Sequence, residues 1–597
     1  MAETVGVQAA PAPFREAHLL AVDLDIERRA DGTILLASRV PLRPYDANIP
    51  AVFARRAEIS GDKTALARRG ADGAWAFTSF AQLKREMDAA TQWLLDQAQP
   101  GPVLILAGNS PAFAVMSFAA QAAGRAACPV STTYAALGGD YGRLAHVIAK
   151  VRPAVVFAED TAMAAGALAA LDLGAAVIVT SDPSRLSQPA VAYAVLLATR
   201  PTARVAASIA ALTPQDRAAL MLTSGLTGLP KVVPITFDNL AANSAQCQQT
   251  IGEAAGWHDV MLDWLPWHHA AGAFVLRTTL LEGGTLYIDD GKPAPGLFET
   301  SIRNLREISV SYFNNVPLGY TLLAQALETD PLLRATFFRK MRLMLYGGAG
   351  LSQPVHDRLQ AAAVAETGCR IMMTSGYGMT ETVSAFMVIH FETDKVGIGL
   401  PAPGVTVKLA PVGDRYEIRV RGPNVTRGYL DEPEKTAAAF DDEGFYRTGD
   451  LAVFHDPADP TKGLAFAGRA AEEFKLSSGT WVYGGSLRDG LLEALSPLVL
   501  DLVLCDDGRP YLGVMLWPTA GADPAEIARR LADFNAGHHG AAARVRRALL
   551  LREPPSANAH EISDKGAINR RAVIDRRADQ VERLFAETPD ADVMGFG

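Results

Sequence analysis

The chain of 597 residues is too long for one ordinary domain, and with 49% apolar and 20% charged residues it is typical of folded, not disordered, proteins. Its formal net charge of −9 argues against nucleic acid as the main partner, because a protein that binds a phosphate backbone needs a basic surface. The cysteines lie far apart without the spacing of metal ligands, which indicates a reduced chain without a disulfide framework.

The start of the sequence lacks a basic segment followed by an apolar core, so it is not typical of a secretory signal. No apolar run reaches the roughly 18–20 residues that a membrane span requires. We therefore expect a cytoplasmic protein with no membrane partner.

In chain order, the first predicted element is a hairpin that turns at Ala30-Asp31-Gly32-Thr33. Helices and short apolar strands then alternate. The helices are predicted over residues 81–97 and 112–123, and the strands over residues 103–106, 154–157 and 176–179. This alternation predicts parallel α/β sheets.

Further strands are predicted over residues 218–222, 341–346 and 370–374, and each runs into a Gly-rich loop. Because ligands of α/β sheets bind beyond the carboxyl ends of strands, these loops favour a shared site over three unrelated turns. Residues 405–466 have the pattern of a β-rich region, and a smaller α+β region follows from about residue 472.

The loop after the first of these strands is the most informative segment. It contains Thr223, Ser224, Gly225, Leu226, Thr227 and Gly228, and it closes with Lys231. Glycines allow backbone amides to approach a phosphate, and the hydroxyls and the lysine add hydrogen bonds and charge. Its spacing differs from that of a P-loop. For the loop taken alone, an ordinary turn with a solvated lysine is the alternative explanation.

This loop resembles the phosphate-binding signature of the adenylate-forming enzymes, which include acyl-CoA synthetases, luciferases and peptide-synthetase adenylation domains. Further segments resemble the family in the same order: residues 346–350, 376–382, 446–450, 468–469 and 475–479, and then Lys565. Within the family the chain is most similar to feruloyl-CoA synthetase, through residues 27–33, 474–482 and 561–569.

The resemblance implies an α/β fold: a large N-terminal domain of parallel α/β sheets with a β-rich subdomain, followed by a small mobile α+β C-terminal domain. The expected boundaries are an extension with a hairpin over 1–45, an AMP-binding domain over 46–468, a hinge over 469–471 and the small domain over 472–597. The implied enzyme is an AMP-forming acid–CoA ligase that uses ATP, Mg²⁺ and coenzyme A. Its partners would be small molecules, with a homodimer as the candidate assembly.

The resemblance also assigns residues to nucleotide binding. Thr380 would contact the α-phosphate, Glu381 with Thr227 would hold Mg²⁺, and Asp450 would bind the ribose. Arg469 would contact ribose or phosphate near the hinge. The remaining nucleotide-binding candidates are Thr223, Ser224, Gly225, Gly228, Lys231, Gly347, Gly348, Ala349, Gly376, Tyr377 and Gly378. For each, a turn, a cap or a surface ion pair is the alternative explanation.

Lys565 is the only lysine after Lys475, and the resemblance makes it the residue that bridges carboxylate and α-phosphate during adenylation. Lys475, Ser478 and Gly479 would line the coenzyme A channel. His269, Gly272, Val316 and Pro317 would form the acyl pocket. A metal site at His268 and His269 is disfavoured, because side chains of neighbouring residues are expected to point apart and no further ligand is nearby in sequence.

Three departures qualify this transfer of roles. Leu226 stands where relatives usually carry Ser or Thr. Ala471 stands at the hinge, where many relatives carry Asp or Lys. Asp564 precedes Lys565, where Gly is usual. We predict that ATP binding by this loop is weakened or altered but not lost. The preferred acid is expected to be ferulate or another hydroxycinnamic or aromatic acid. The alternatives are a ligase for medium-chain fatty acids or other aryl acids, and a non-catalytic regulator that binds a nucleotide or acyl-AMP.

Overall fold

The computed structural model describes residues 12–136, 141–223, 229–294, 296–470, 473–475, 481–505, 509–519, 521–538, 540, 543–556, 559, 561 and 568–596. For residues 473–475, 481, 483 and 486 only the backbone is described. Strands and helices are numbered below in chain order.

A seven-stranded sheet has the strand order β11-β10-β6-β5-β7-β8-β9. Its strands are β5 (Val103–Leu106), β6 (Ala127–Val130), β7 (Val155–Ala158), β8 (Val177–Thr180), β9 (Val191–Ala192), β10 (Arg217–Leu222) and β11 (Val232–Thr236). Strands β5 to β9 and β10 pair in parallel, whereas β11 returns antiparallel to β10. Every residue of β5, β6 and β7 is buried, as their continuous apolar runs predict for a sheet covered on both faces.

The helices around this sheet begin at recognisable caps. The side chains of Ser79, Ser110 and Asp160 each accept a backbone N–H of the first turn, and Thr236 forms a capping box with Asn239. The helices are α1 (Ile49–Ile59), α2 (Phe80–Asp96), α3 (Pro111–Ala122), α4 (Thr133–Ala136), α5 (Gly142–Val151), α6 (Thr161–Ala170), α7 (Tyr193–Leu197), α8 (Ala203–Ala210) and α9 (Phe237–Ala255).

Two further sheets carry the middle of the chain. A four-stranded sheet has the order β12-β13-β3-β4, and a five-stranded sheet has the order β14-β15-β16-β17-β18. The strands are β3 (Thr64–Arg69), β4 (Trp75–Ser79), β12 (Val260–Asp263), β13 (Thr285–Ile288), β14 (Tyr312–Asn315), β15 (Leu343–Gly347), β16 (Met372–Gly378), β17 (Ala385–Val388) and β18 (Leu400–Pro401). Strands β14, β15 and β16 are parallel, so their carboxyl ends meet at one edge.

The helices of this region connect and cover these strands. They are α10 (Ala270–Glu282), α11 (Phe298–Glu307), α12 (Pro317–Thr329), α13 (Pro331–Arg339) and α14 (Gln353–Thr367). Apolar residues of α11 to α14 pack with those of β14 to β16 in one continuous buried cluster. This packing holds the carboxyl ends of the three parallel strands in a common position.

The predicted β-rich region is a six-stranded antiparallel sheet of order β1-β2-β19-β20-β21-β22. It contains the predicted hairpin, β1 (Leu24–Arg28) and β2 (Ile34–Ser38), together with β19 (Thr406–Val412), β20 (Arg415–Arg421), β21 (Tyr446–Phe454) and β22 (Leu464–Arg469). Helix α15 (Pro433–Ala439) lies between β20 and β21 in sequence. Strand β2 of the hairpin therefore pairs with β19, a partner about 370 residues away in sequence.

The C-terminal region has its own elements and apolar core. A β-hairpin of β23 (Glu473–Lys475) and β24 (Trp481–Tyr483) precedes a four-stranded sheet of order β25-β26-β27-β28. The elements are β25 (Val499–Cys505), β26 (Leu512–Pro518), β27 (Val545–Leu550), β28 (Val593–Gly595), α16 (Gly484–Leu495), α17 (Pro524–Ala536), α18 (Arg570–Arg576) and α19 (Ala578–Phe585). The predicted α/β fold class with a smaller α+β region is confirmed.

Candidate active site

The Gly-rich loops at the carboxyl ends of β15 and β16 lie side by side. Gly347 pairs with Gly376 across the two strands, and a Cβ on Gly347 would lie 3.2 Å from the Gly376 carbonyl oxygen. Gly348 has φ +80°, a conformation that favours glycine. Gly348 and Ala349 are exposed, and Gly376 is half-buried. The backbone of these loops is therefore open to a flat ligand.

Glu381 follows the β16 loop and is buried, with 6% of its surface exposed. The Tyr429 hydroxyl donates a hydrogen bond of 2.9 Å to Glu381 Oε1 and lies 3.1 Å from the Tyr446 hydroxyl. Burial, together with the Glu381 carboxylate, raises the pKa of both tyrosines, so both hydroxyls remain protonated as donors. In the described part of the chain no lysine or arginine forms an ion pair with Glu381.

Lys231 ends the loop between β10 and β11. The Thr223 amide donates a 3.0 Å hydrogen bond to the Lys231 carbonyl, which closes the two ends of the loop. The Lys231 ammonium lies 4.1 Å from the ring centroid of Tyr429, in a cation–π contact. Tyr429 thus contacts Lys231 through its ring and Glu381 through its hydroxyl. The Thr223 hydroxyl oxygen is buried and has no hydrogen-bond partner among the residues that the structure describes.

A segment between β20 and β21 joins these groups. The Thr426 amide donates to the Glu381 carbonyl at 2.8 Å, and its hydroxyl donates to the Pro234 carbonyl at 2.7 Å. The Leu430 amide donates to the Val232 carbonyl at 2.9 Å. The segment therefore ties the lysine end of the first loop to the glutamate end of the second.

Asp450 is buried in β21 next to Tyr377 and Arg469. The Tyr377 hydroxyl donates to Asp450 Oδ2 at 2.9 Å, and Arg469 Nε donates to Asp450 Oδ1 at 3.1 Å. Burial and the Asp450 charge raise the pKa of Tyr377 far above its ordinary value, so the phenol stays a donor. The structure thus brings three predicted nucleotide-binding residues together at the end of β16.

The predicted acyl-pocket residues begin helices α10 and α12. His269 precedes α10, and Val316 and Pro317 begin α12 directly after β14. A Cβ on Gly348 would lie 4.0 Å from Val316 Cγ1, so this pocket borders the β15 loop. A Cβ on Gly272 would lie 2.5 Å from the Leu265 carbonyl oxygen, which makes close packing the reason for glycine there. Ala271 is the exposed small residue.

The prediction that His268 and His269 point apart is wrong. Their ring centroids lie 4.3 Å apart, because both residues belong to a tight turn that the His269 amide closes by donating to the Pro266 carbonyl at 3.0 Å. The described residues nevertheless contain no group of three His, Cys, Asp or Glu arranged to hold a metal ion.

Sequence reasoning missed the side chains that hold the segment before His269. Asn109 donates to the Leu265 carbonyl and accepts from the Trp267 amide, each at 2.9 Å. The Trp264 indole donates to Asn315 Oδ1 at 3.1 Å. Both asparagines, Asn109 and Asn315, stand at or just after the carboxyl end of a parallel strand. This position could have identified them as candidate site residues from sequence. Tyr429 and Tyr446 were also missed as partners of Glu381.

Other predicted residues lie outside the described part of the chain: Ser224, Gly225, Leu226, Thr227, Gly228, Ala471, Ser478, Gly479 and Lys565. Lys475 is described only by its backbone in β23. Thr380 is half-buried next to Glu381. No helix in the described segments is long and apolar enough to cross a membrane.

Residues 53–430 match the family model described as AMP-binding enzyme, and the chain belongs to this family. It is 30% identical over 250 residues to 2-succinylbenzoate–CoA ligase of Staphylococcus epidermidis, covering 40% of this chain and 47% of that enzyme. It is 32% identical over 282 residues to the mitochondrial malonate–CoA ligase ACSF3 of Mus musculus, covering 40% and 46%. The chain thus spans about half the length of the curated relatives that it matches.

The fold is similar to that of the anthranilate CoA ligase AuaEII in complex with anthranoyl-AMP. The TM-score is 0.70 at 18% identity, and the match covers 91% of this chain and 99% of that one. This similarity supports the predicted α/β fold class.

Proposed function

We propose that the protein is an AMP-forming acid–CoA ligase that converts an acid, ATP and coenzyme A into acyl-CoA, AMP and pyrophosphate. The observation that carries the proposal is the convergence of Lys231 and Glu381 on Tyr429, beside the Gly-rich ends of β15 and β16. A cation and a buried carboxylate beside open backbone suit a nucleoside triphosphate.

In the first half-reaction the acid's carboxylate oxygen attacks the α-phosphorus of ATP, and the bond to the pyrophosphate oxygen breaks. Such transfer depends on positioning and neutralisation of charge. Lys231 and Lys565 supply positive charge to the phosphates, and Thr223 and Thr380 supply hydroxyls. Asp450, which Tyr377 orients, accepts hydrogen bonds from the ribose hydroxyls.

Glu381 and Thr227 would hold Mg²⁺, which neutralises phosphate charge when bound. Carboxylate and hydroxyl oxygens are suitable donors for this cation. Glu381 also fits because it is buried and has no ion-pair partner among the described residues. Tyr429 orients the carboxylate by donating to Oε1.

In the second half-reaction the thiol sulfur of coenzyme A attacks the acyl carbon, and the bond to AMP breaks. Lys475, Ser478 and Gly479 would line the channel for the pantetheine arm. The small domain, residues 472–597, would rotate about a hinge at 469–471. This rotation would move Lys565 out of the active site and bring the residues that line the coenzyme A channel into it. The small domain's separate apolar core supports its movement as a unit.

The proposed acid is ferulate or a related hydroxycinnamic or aromatic acid. The resemblance of residues 27–33 and 474–482 to feruloyl-CoA synthetase supports this substrate class. The names of two relatives, 2-succinylbenzoate–CoA ligase and anthranilate CoA ligase, support an aromatic acid more broadly. Malonate–CoA ligase supports an aliphatic dicarboxylic acid as the second candidate.

The test is pyrophosphate release and thioester formation with ferulate, benzoate, malonate, octanoate and no acid, at saturating ATP, Mg²⁺ and coenzyme A. We expect ferulate to give the highest kcat/KM. A higher kcat/KM with malonate or octanoate than with ferulate would show that the preferred acid is aliphatic and not aromatic. ATP binding without pyrophosphate release for any acid would indicate a regulator instead of a ligase.

A further inference from the structure

Arg277 is a buried cation on α10 with few partners. It is 6% exposed, and Nε donates to the Ser244 hydroxyl at 3.1 Å. Among the residues that the structure describes, Nη2 is buried without a hydrogen-bond partner, and no carboxylate forms an ion pair with the guanidinium. Burial lowers its pKa to about 10, so the group is still charged at neutral pH. A buried, uncompensated charge is costly and indicates a missing partner.

The surroundings of Arg277 contain an unused acceptor as well. Asn243 on α9 donates through Nδ2 to the Ala385 carbonyl at 2.8 Å, and its Oδ1 is buried without a partner among the described residues. The Cys247 thiol lies 3.8 Å from the same carbonyl and interacts electrostatically with Arg277. Unused donor and acceptor atoms therefore occur in one buried cluster between α9, α10 and β17.

Each element around this cluster also leads to the candidate site. Helix α10 begins directly after His269, and β17 begins soon after Glu381 and Thr382. From His269 to Arg277 the helix rises by about 12 Å. The guanidinium lies 5.6 Å from the ring centroid of Phe274, so the side chain points back toward the start of α10. Arg277 is thus oriented toward the acyl-pocket end of its helix.

We propose that Arg277 determines acid specificity by binding an oxygen at the distal end of the acid, a ring hydroxyl or a second carboxylate. The inference rests on the proposed ligase function. Either oxygen would accept a hydrogen bond from Nη2. A ring hydroxyl would also donate to Asn243 Oδ1, whereas a carboxylate has no proton for that acceptor. An acid without this oxygen would leave Arg277 Nη2 and Asn243 Oδ1 unpaired. A site built to hydrogen-bond a substrate group binds an analogue that lacks this group much more weakly.

The test compares 4-hydroxycinnamate, 4-carboxycinnamate and cinnamate in the full-length enzyme, with kcat/KM for pyrophosphate release as the readout. The variants are Arg277→Met, which keeps an unbranched side chain without charge, and Arg277→Lys, which keeps charge without the planar fork. Replacement of a buried charge by an apolar residue of similar volume is usually compatible with folding. Arg125→Met is the matched control, because Arg125 is a partly buried arginine that binds backbone carbonyls far from α10.

We expect wild type and Arg125→Met to prefer one oxygenated acid over cinnamate by about tenfold or more. Arg277→Met should abolish that preference and leave kcat/KM for cinnamate nearly unchanged. The favoured acid then identifies the distal oxygen as hydroxyl or carboxylate. Arg277→Lys should retain part of the preference.

Absence of any preference in the wild type would overturn the role of Arg277, and so would a preference that Arg277→Met preserves. If Arg277→Met does not fold, a full wild-type preference in Arg277→Lys has the same meaning. Failure to turn over any aromatic acid would contradict the proposed substrate class together with this role.

Discussion

Tyr429 uses both parts of its side chain in the candidate site. Its ring supports the Lys231 ammonium at 4.1 Å, and its hydroxyl donates to the Glu381 carboxylate at 2.9 Å. A lysine and a glutamate that are far apart in sequence are therefore oriented by one residue. The two functions of the side chain can be separated by substitution.

Tyr429→Phe should keep the ring contact and remove one hydrogen bond, worth about 0.5–1.5 kcal/mol. We expect kcat for pyrophosphate release to fall about two- to tenfold, with a higher Mg²⁺ requirement, because Glu381 is less well oriented. Glu381→Gln removes the charge and should cost about 10²–10³ in kcat. Initial rates over a series of Mg²⁺ concentrations measure both effects.

Tyr45→Phe is the matched control, since its hydroxyl also donates to a carboxylate, Asp238, at 2.9 Å but away from this site. It should leave the Mg²⁺ dependence unchanged. Full activity of Glu381→Gln, or identical Mg²⁺ curves for Tyr429→Phe and wild type, would contradict the assigned roles.

The sequence identified Glu381 but not Tyr429, and the reason is sequence separation. Glu381 follows a Gly-rich loop within a few residues, so its setting is visible locally. Tyr429 reaches Glu381 through tertiary contacts of its segment, including the hydrogen bond from the Leu430 amide to the Val232 carbonyl, between residues about 200 apart. Local patterns carry no information about such a pairing.

At the scale of elements, the segment before the first hairpin is anchored across the large α/β region. Arg15 donates to the Phe338 and Met341 carbonyls, each at 2.8 Å, and the Leu20 amide donates to the Thr250 carbonyl at 3.0 Å. His390 Nδ1 lies 2.9 Å from the Leu20 carbonyl oxygen. The histidine must carry a proton on Nδ1 to donate this bond.

His390 gives this anchor a pH dependence. Burial lowers its pKa below the ordinary 6.5, so the folded protein binds a proton less readily than the unfolded chain. The free energy of unfolding should therefore decrease as the pH falls below about 6.5. In His390→Gln this decrease should be smaller, as measured by urea unfolding at pH 7.5, 6.5 and 5.5.

His258→Gln provides the comparison, because His258 is exposed at the surface. Its unfolding free energy should follow the wild-type pH dependence. Parallel curves for His390→Gln and wild type would show that His390 does not couple protonation to stability.

Elements that the sequence predicted well are those with local signals. The apolar run Val103–Leu106 is a strand with the predicted bounds, and the predicted hairpin forms around Gly32. In contrast, β16 extends to Gly378, beyond the predicted end at residue 374, because β15 and β17 both pair with its glycines. Glycine disfavours strands locally, and tertiary pairing overrides that tendency.

At the scale of the whole molecule, the two half-reactions of the proposed ligase should respond differently to changes in the proposed small domain. Gly479→Leu should obstruct the proposed coenzyme A channel. It should spare pyrophosphate release in a single turnover and abolish thioester formation. Lys565→Ala should lose about 2–4 kcal/mol of transition-state stabilisation in adenylation and keep thioester formation from supplied acyl-AMP.

Rapid-quench measurement of each half-reaction separates these outcomes, and wild type supplied with acyl-AMP is the reference. Equal losses in both half-reactions for either variant would argue against two domain arrangements.

Strand β2 of the hairpin pairs with β19, which is an interior strand of the six-stranded sheet for this reason. An N-terminal truncation to residue 39 would convert β19 into an open edge with unpaired amides and carbonyls, a template for pairing with other chains. We expect such a truncated protein to self-associate, as light scattering at increasing concentration would detect. Truncation to residue 12 should leave it monodisperse. The hairpin therefore moves the edge of the sheet from β19 to β1, whose exposed Asp25, Glu27 and Arg28 disfavour pairing with another chain.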